Sequence, residues 1–125
     1  MSSDLIYLVS AEASERDSLE RYFQKHNFNC QMFQDLDAAR AGVAANAPHL
    51  IVLAGSSIPS PDICRFGAEV EQQCESPIIA LLTKLQMSIV SEMAESENLW
   101  TAEYPISLRE IRASVTEALE ELQES

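Results

Sequence analysis

The polar side chains best placed for chemistry in this sequence stand at the ends of short apolar stretches. Ser10 and Glu12 follow the first stretch, Ser56 lies just beyond the second, Thr83 follows the third, and Tyr104 lies beyond the last. A serine hydroxyl becomes a nucleophile when a base activates it, and a divalent cation needs several oxygen ligands. Glu12 is the only carboxylate among these residues. The set therefore favours neither nucleophilic catalysis nor a dedicated metal site, and we predict no cofactor.

The histidines and cysteines do not supply the missing base or metal ligands. His26 and His49 are predicted at the opposite, amino end of the strands, and neither has a partner at metal-ligand spacing. Cys30, Cys64 and Cys74 are odd in number and fall in different predicted elements, which argues against a disulfide framework. We expect reduced, mostly buried thiols.

Alternating strands and helices must position these residues. The predicted strands cover approximately residues 5–9, 28–33, 50–53, 77–82 and 99–102. The predicted helices cover approximately residues 14–25, 35–46, 62–74, 86–96 and 107–122. Apolar runs without helical spacing are typical of strands buried on both faces of a parallel sheet. The alternation therefore predicts an α/β fold, with an open parallel sheet covered by helices on both sides.

Capping residues and apolar spacing predict where the helices begin and which side chains they bury. The candidate amino-terminal caps are Ser14, paired with Asp17, for the first helix and either Asp35 or Asp37 for the second. They are Asp62 for the third helix and Ser107, paired with Glu110, for the last. The last helix is predicted to bury an apolar stripe formed by Leu108, Ile111, Val115, Leu119 and Leu122.

Length and charge limit the classes of function. The 125 residues fit one domain spanning 1–125. Twenty acidic residues against eight basic ones give a formal net charge of −12, which disfavours direct binding to nucleic acid or to anionic membranes. The apolar runs fall short of the roughly 18 residues of a membrane span. The first residues show no secretory signal pattern, so we expect a cytoplasmic protein.

The order and spacing of the predicted elements resemble the response-regulator receiver domains (CheY-like) over nearly the whole chain. The segments that carry the resemblance are residues 9–12, 48–54, 77–79 and 104–106. The resemblance implies a flavodoxin-like (βα)5 three-layer sandwich, with a five-stranded parallel sheet of order 2-1-3-4-5. It also implies a role in two-component signal transduction.

The matching positions lack most of the groups with which receivers accept a phosphoryl group. Where the family has paired acidic residues that hold Mg²⁺, this sequence has Ser10 and Ala11, with Glu12 beside them. Ala54 stands in place of the phospho-accepting aspartate. Phosphoryl transfer to a side chain needs both a nucleophilic oxygen and a charge-neutralising cation. The resemblance therefore implies a degenerate pseudo-receiver with neither a catalytic residue nor a metal.

The two remaining positions of the family's pocket are altered to different degrees. Thr83 matches the hydroxyl residue that ends the fourth strand if one residue is inserted. Tyr104 replaces the lysine that precedes a proline after the fifth strand. Receivers commonly have a cis peptide at that step, and an aromatic residue before proline favours this isomer. We therefore expect a cis bond between Tyr104 and Pro105, with Tyr104 oriented over the vacant pocket.

The resemblance also implies a protein interface, because receivers commonly dimerise or dock effectors through the fourth helix, fifth strand and fifth helix. The candidate interface residues are Trp100, Tyr104, Ile106, Arg109 and Arg112. Met87, Ile89, Val90 and Met93 add a wide apolar surface on the fourth helix. Aromatic residues, methionine and arginine are enriched in interfaces. The alternative is that the apolar residues belong to the core and that the arginines pair with glutamates of their own helix.

Three hypotheses about function follow. The first is a phosphorylation-independent receiver domain that signals by binding protein and is not an enzyme. The second is a small-ligand or anion sensor, using a neutral pocket lined by Ser10, Glu12, Ala54, Ser56, Thr83 and Tyr104. The third and weakest is an enzyme of flavodoxin-like architecture.

Overall fold

Strands and helices alternate along the chain in the computed structural model, which describes residues 4–124, with side chains through residue 121. The strands are β1 (Leu5–Val9), β2 (Asn29–Phe33), β3 (Leu50–Ala54), β4 (Ile78–Leu82) and β5 (Leu99–Glu103). The helices are α1 (Ala13–Lys25), α2 (Leu36–Ala45), α3 (Ser60–Gln73), α4 (Lys84–Met93) and α5 (Leu108–Glu124). No helix in this range has the length and apolar character needed to cross a membrane.

The strands form one parallel sheet in the order β2-β1-β3-β4-β5, which confirms the predicted topology. Every residue of β3 and of β4 is buried, because helices cover both faces of the sheet at its centre. One core cluster joins α2, α3 and α4 to one face, and a second joins α1 and α5 to the other. The result is the expected three-layer sandwich.

Two of the predicted helix caps are confirmed. The Asp35 carboxylate accepts a hydrogen bond from the N–H of Ala38 at 2.7 Å, at the start of α2. The Ser107 hydroxyl accepts one from the N–H of Glu110 at 3.1 Å, at the start of α5. The side chain of Leu122, predicted to be buried by α5, lies outside the described residues.

The predicted caps of α1 and α3 are wrong. In α1, the Ser14 hydroxyl donates to the Glu12 carboxylate at 2.7 Å, and the helix has no side-chain cap. In α3, the helix begins at Ser60, directly after Pro59, so that Asp62 lies inside its first turn. Pro61, at the second helical position, is pre-organised for helix, which explains the earlier start.

The start of α4 also differs from the prediction. Residue 86 was the expected first residue, but the helix begins at Lys84 and ends at Met93, with Thr83 as its amino-terminal cap. Thr83 and Gln86 form a capping box, in which each side chain bonds the other's backbone N–H. This arrangement places Gln86 within reach of the neighbouring loop.

Candidate functional site

The carboxyl ends of the parallel strands bring the predicted site residues to one edge of the sheet, called here the carboxyl edge. Ser10 follows β1, Ala54 ends β3, Thr83 follows β4 and Tyr104 follows β5. Parallel registers hold these ends level with one another. Ligands of open α/β sheets bind at such edges, so this is where a receiver pocket would lie.

Ser10 is fully buried, and its hydroxyl is already engaged. Its Oγ donates to the Glu15 carboxylate at 2.6 Å, and its carbonyl accepts from Arg16 Nη1 at 2.8 Å. Both partners come from the first turns of α1, and sequence reasoning missed them. A sequence signal existed, because an acidic residue in the first turn of a helix can reach back to the preceding loop.

Ala54 and Glu12 cannot together make an acidic cluster. Ala54 is 3% exposed and presents only a methyl group at the end of β3. Glu12 is exposed, and its carboxylate accepts the hydrogen bond from Ser14. Among the described residues, no group of three or more His, Cys, Asp or Glu side chains is arranged to hold a metal ion.

The hydroxyl of Thr83 serves as a helix cap. Thr83 Oγ1 accepts from the N–H of Gln86 at 3.2 Å, and Gln86 Oε1 accepts from the N–H of Thr83 at 3.0 Å. The amide nitrogen of Gln86 also donates to the carbonyls of Gly55 at 2.7 Å and Ile58 at 3.0 Å. Gln86 therefore ties the start of α4 to the loop after β3. Sequence reasoning missed Gln86, although a threonine followed three residues later by glutamine is a capping-box pattern.

Tyr104 faces the α1 and α5 side of the sheet. Its peptide bond to Pro105 is cis, as predicted. Its side chain is half-buried against the core cluster of α1 and α5. It lines a cavity of about 120 Å³ together with Glu15, Leu81 and Ile111. The expected orientation over the pocket around Ala54 is therefore corrected, because α1 and α5 offer the ring apolar surface to cover.

A cleft at the carboxyl edge lies to one side of the predicted ligand pocket. It has a volume of about 420 Å³ and opens between the loops after β1, β2 and β3. Residues that line it include Ala11, Asp35, Arg40, Ser57, Asp62 and Arg65. None of the residues named for the neutral sensor pocket lines this cleft. Burial of Ser10 and Ala54 and capping by Thr83 leave those side chains little open space.

Charged side chains in the cleft are paired with one another or with near neighbours. Arg40 bonds Asp37 at 2.7 Å and Glu69 at 2.6 Å, and Arg65 lies 3.6 Å from Asp62. Because each guanidinium already has a carboxylate partner, the cleft does not favour anions.

The arrangement of strands and helices recurs in solved structures of low sequence identity. A receiver domain protein (CheY-like) of Methanospirillum hungatei superposes with a TM-score of 0.81 at 14% identity, over 98% of both chains. A two-component response regulator of Clostridium difficile gives 0.80 at 13% identity, over 96% of this chain and 98% of that chain. A transiently phosphorylated switch of bacterial signal transduction gives 0.82 at 18% identity, over 98% and 99%. This chain has the receiver-domain fold. No family model and no curated protein sequence matches it.

The predicted interface of this receiver-fold chain is only partly exposed. Trp100, Tyr104 and Ile106 are half-buried and pack against the core on the α5 side, whereas Arg109 is exposed. The exposed large apolar side chains are instead on α4, where Leu85 is 72% exposed and Met93 is 45% exposed. Leu85 was missed in the sequence, since burial of a short amphipathic helix depends on how it is rotated against the sheet.

Arg112, named among the candidate interface residues, makes its described side-chain contacts with α1. Its Nη1 lies 2.5 Å from Nδ1 of His26, and its guanidinium stacks over the Tyr22 ring at 5.7 Å. Arg112 therefore faces α1. Partial burial lowers the pKa of His26, and the charges of Arg112 and Lys25 lower it further. A neutral imidazole can accept a hydrogen bond from Arg112.

His49 has a structural role at the amino end of the sheet. Its Nδ1 accepts from the N–H of Leu5 at 2.9 Å, and its own N–H donates to the Leu5 carbonyl at 2.8 Å. The imidazole thus extends the pairing between β1 and β3. Its Nε2 lies 3.9 Å from the Asp4 carboxylate.

The three cysteines are free thiols and are half-buried, rather than mostly buried as predicted. Burial raises the pKa of Cys30, with a smaller contribution from the charge of Glu20, and burial also raises the pKa of Cys64. A raised pKa keeps a thiol protonated, which lowers its nucleophilicity.

Proposed function

We propose that this chain is a phosphorylation-independent receiver-type domain, which acts in signal transduction by binding protein and is not an enzyme. One observation carries the proposal. At the carboxyl edge, Ala54 has no oxygen to accept a phosphoryl group, and the hydroxyls of Ser10 and Thr83 are engaged by Glu15 and Gln86. No side chain of this set is left as a free nucleophile.

The contacts of Gln86 support a fixed conformation of this edge. Its side chain joins the start of α4 to the carbonyls of Gly55 and Ile58 in the loop after β3. A conformational switch at this edge has to break these hydrogen bonds. In a phosphorylated receiver, contacts to the phosphoryl group could offset the lost free energy, but this chain has no residue at position 54 that can accept that group. The domain therefore presents one surface constitutively.

The charge and the cysteines support a protein partner in the cytoplasm. A net charge of −12 disfavours nucleic acid and anionic membranes as ligands. Free thiols at Cys30, Cys64 and Cys74 are typical of a reducing compartment. The proposed interface lies on the side of α4, β5 and α5, and now includes the exposed residues Leu85 and Met93.

Intact mass spectrometry tests the phosphorylation part of the proposal. The purified chain is incubated with acetyl phosphate and Mg²⁺, with a phosphorylatable receiver domain in the same tube as the positive control. We expect the control to gain a phosphoryl group and this chain to keep its mass. A stoichiometric phosphoryl adduct on this chain would refute the proposal.

Affinity capture tests the protein-binding part. The chain is used as bait in lysate of its source cells, with and without acetyl phosphate and with and without a chelator. We expect the same specific partner under all of these conditions. A partner that is captured only when acetyl phosphate is present, or no specific partner at all, would contradict the proposal.

A further inference from the structure

Helix α4 carries a second apolar face in addition to the face that packs on the sheet. Val90 is 2% exposed, and Met87 and Ala94 pack with it against the core. Leu85, Ile89 and Met93 are spaced four residues apart and therefore lie along another side of the helix. These three residues, called here the α4 stripe, are 72% exposed at Leu85 and 45% exposed at Met93, with Ile89 half-buried.

Exposed leucine and methionine on one helix face need a physical reason. Isolated apolar side chains on a surface are common, but Leu85 and Met93 are the only large apolar side chains that are exposed among the described residues. Both lie on a ten-residue helix, two turns apart. Methionine and leucine in a row are typical of grooves and ridges that receive an amphipathic helix.

The charges around the α4 stripe indicate what kind of helix it receives. From Leu85 to Glu103 the chain contains no lysine or arginine, whereas Glu92, Glu95 and Glu97 are all exposed in this segment. Lys84, at the other end of the helix, lies 3.6 Å from Glu103. The stripe therefore ends in an uncompensated acidic surface.

We propose that the α4 stripe binds a basic amphipathic helix of a partner protein, an inference that rests on the proposed protein-binding function. Apolar side chains of the partner cover Leu85, Ile89 and Met93, and its lysines or arginines face Glu92 and the acidic loop that follows. A second copy of this chain is a poorer occupant, because it brings the same carboxylates against one another. The same charges disfavour nucleic acid.

A synthetic peptide provides a defined probe for the site. It has about 18 residues, with leucines at helical spacing and lysines elsewhere, long enough to form a helix on binding. A scrambled peptide of the same composition cannot present one apolar face and serves as the control. We expect the amphipathic peptide to bind the full chain and the scrambled peptide to bind at least about tenfold more weakly, because burial of the leucines is lost. Equal binding of the two peptides would overturn the proposal.

Substitutions in the stripe test whether the peptide binds there. The double variant Leu85→Ser, Met93→Ser should reduce affinity by about tenfold or more, since it removes the apolar contact. Circular dichroism checks that the variant is folded. If it is not, the single variant Met93→Ser carries the same expectation with a smaller loss. Unchanged affinity in a folded variant would overturn the proposal.

Charge variants test the acidic part of the surface. Glu92→Gln with Glu95→Gln should weaken peptide binding by about threefold or more at low salt, and less at high salt, because exposed charges are screened. The matched control is Glu117→Gln with Glu120→Gln on α5, which changes the net charge equally at another exposed place. Equal effects of the two pairs would show nonspecific attraction and would overturn the proposal.

Light scattering separates a partner helix from a second copy. If the unmodified chain is a dimer that Leu85→Ser dissociates, the stripe is a self-association surface, and the inference fails while the proposed function stands. A phosphoryl adduct in the mass experiment would refute the phosphorylation-independent function. It would leave the peptide-binding result unchanged, so the two failures can be told apart.

Discussion

Replacing Gln86 by alanine tests whether this side chain holds the carboxyl edge together. In the native structure its amide nitrogen donates to the carbonyls of Gly55 and Ile58, and its amide oxygen accepts from the N–H of Thr83. Gln86→Ala removes these bonds and leaves the Thr83 hydroxyl in place as a cap of α4. The variant therefore removes the tie between the start of α4 and the loop after β3, together with the half of the capping box that Gln86 supplies.

The magnitude follows from the lost hydrogen bonds, which are these three and a longer one of 3.3 Å from the Thr83 hydroxyl to the amide oxygen of Gln86. A hydrogen bond in a folded protein contributes about 0.5–1.5 kcal/mol net, and water can replace part of it where the group is half-exposed, as Gln86 is. We therefore expect the free energy of unfolding to fall by about 2 kcal/mol. For a chain of this size, that loss corresponds to a melting temperature lower by about 6–10 °C.

Urea unfolding followed by the Trp100 fluorescence gives the measurement, with Gln24→Ala as the matched control. Gln24 is an exposed glutamine on α1, so its replacement should change stability by less than about 0.5 kcal/mol. Gln86→Glu keeps the acceptor for the Thr83 N–H but turns a carboxylate towards two carbonyl oxygens. It should be at least as unstable as Gln86→Ala. If Gln86→Ala unfolds at the same urea concentration as the Gln24 control, the proposed tie has no energetic significance.

Two further predictions concern buried and titrating groups. Ser10→Asp places a carboxylate in a fully buried site, where the Glu15 carboxylate lies 2.6 Å from the native hydroxyl. Like charges in such a site raise their pKa and destabilise the fold, so Ser10→Asp should unfold at lower urea than Ser10→Asn at pH about 7.5; equal midpoints would contradict this reasoning. The pKa of His26 is lowered from 6.5 by partial burial, Arg112 and Lys25, so the folded state binds fewer protons than the unfolded chain. The stability from neutral His26 is complete above the unfolded pKa and is lost as pH falls through that value towards the folded pKa. The unmodified chain should therefore lose more stability than His26→Gln between about pH 7.5 and 5, and parallel losses would show that the histidine has no such effect.

Much of the fold was predictable because it depends on local apolar patterns. The runs at Leu50–Ala54 and Ile78–Leu82 have no polar residue and no helical spacing. Such runs are typical of strands whose side chains are buried on both faces of a sheet. Helix starts were less predictable. Ser14 and Asp62 are good capping residues in isolation, but the hydroxyl of Ser14 donates to Glu12, and α3 begins at Ser60, ahead of Asp62. Several candidates compete within one turn, and small energies separate them.

The site was predictable in its composition and not in its connections. Ala54 lacks a nucleophilic oxygen in any conformation, so the loss of the phosphate acceptor follows from residue identity once the family position is recognised. The residues of the candidate protein interface were harder to predict. Arg112, for example, has a position in the sequence that is compatible with either side of α5. Its contact with His26 spans 86 positions along the chain.

The sequence by itself determined the alternating strands and helices and the lack of a nucleophilic oxygen at Ala54, because both depend on the identity of each residue and its near neighbours. Only the tertiary structure decided that the hydroxyl of Ser10 is buried against Glu15, that Gln86 joins loops about 30 residues apart, and that Leu85 is left exposed. These outcomes depend on how each helix is rotated and docked on the sheet. That docking is set by the packing of both core clusters at once, which no local pattern encodes.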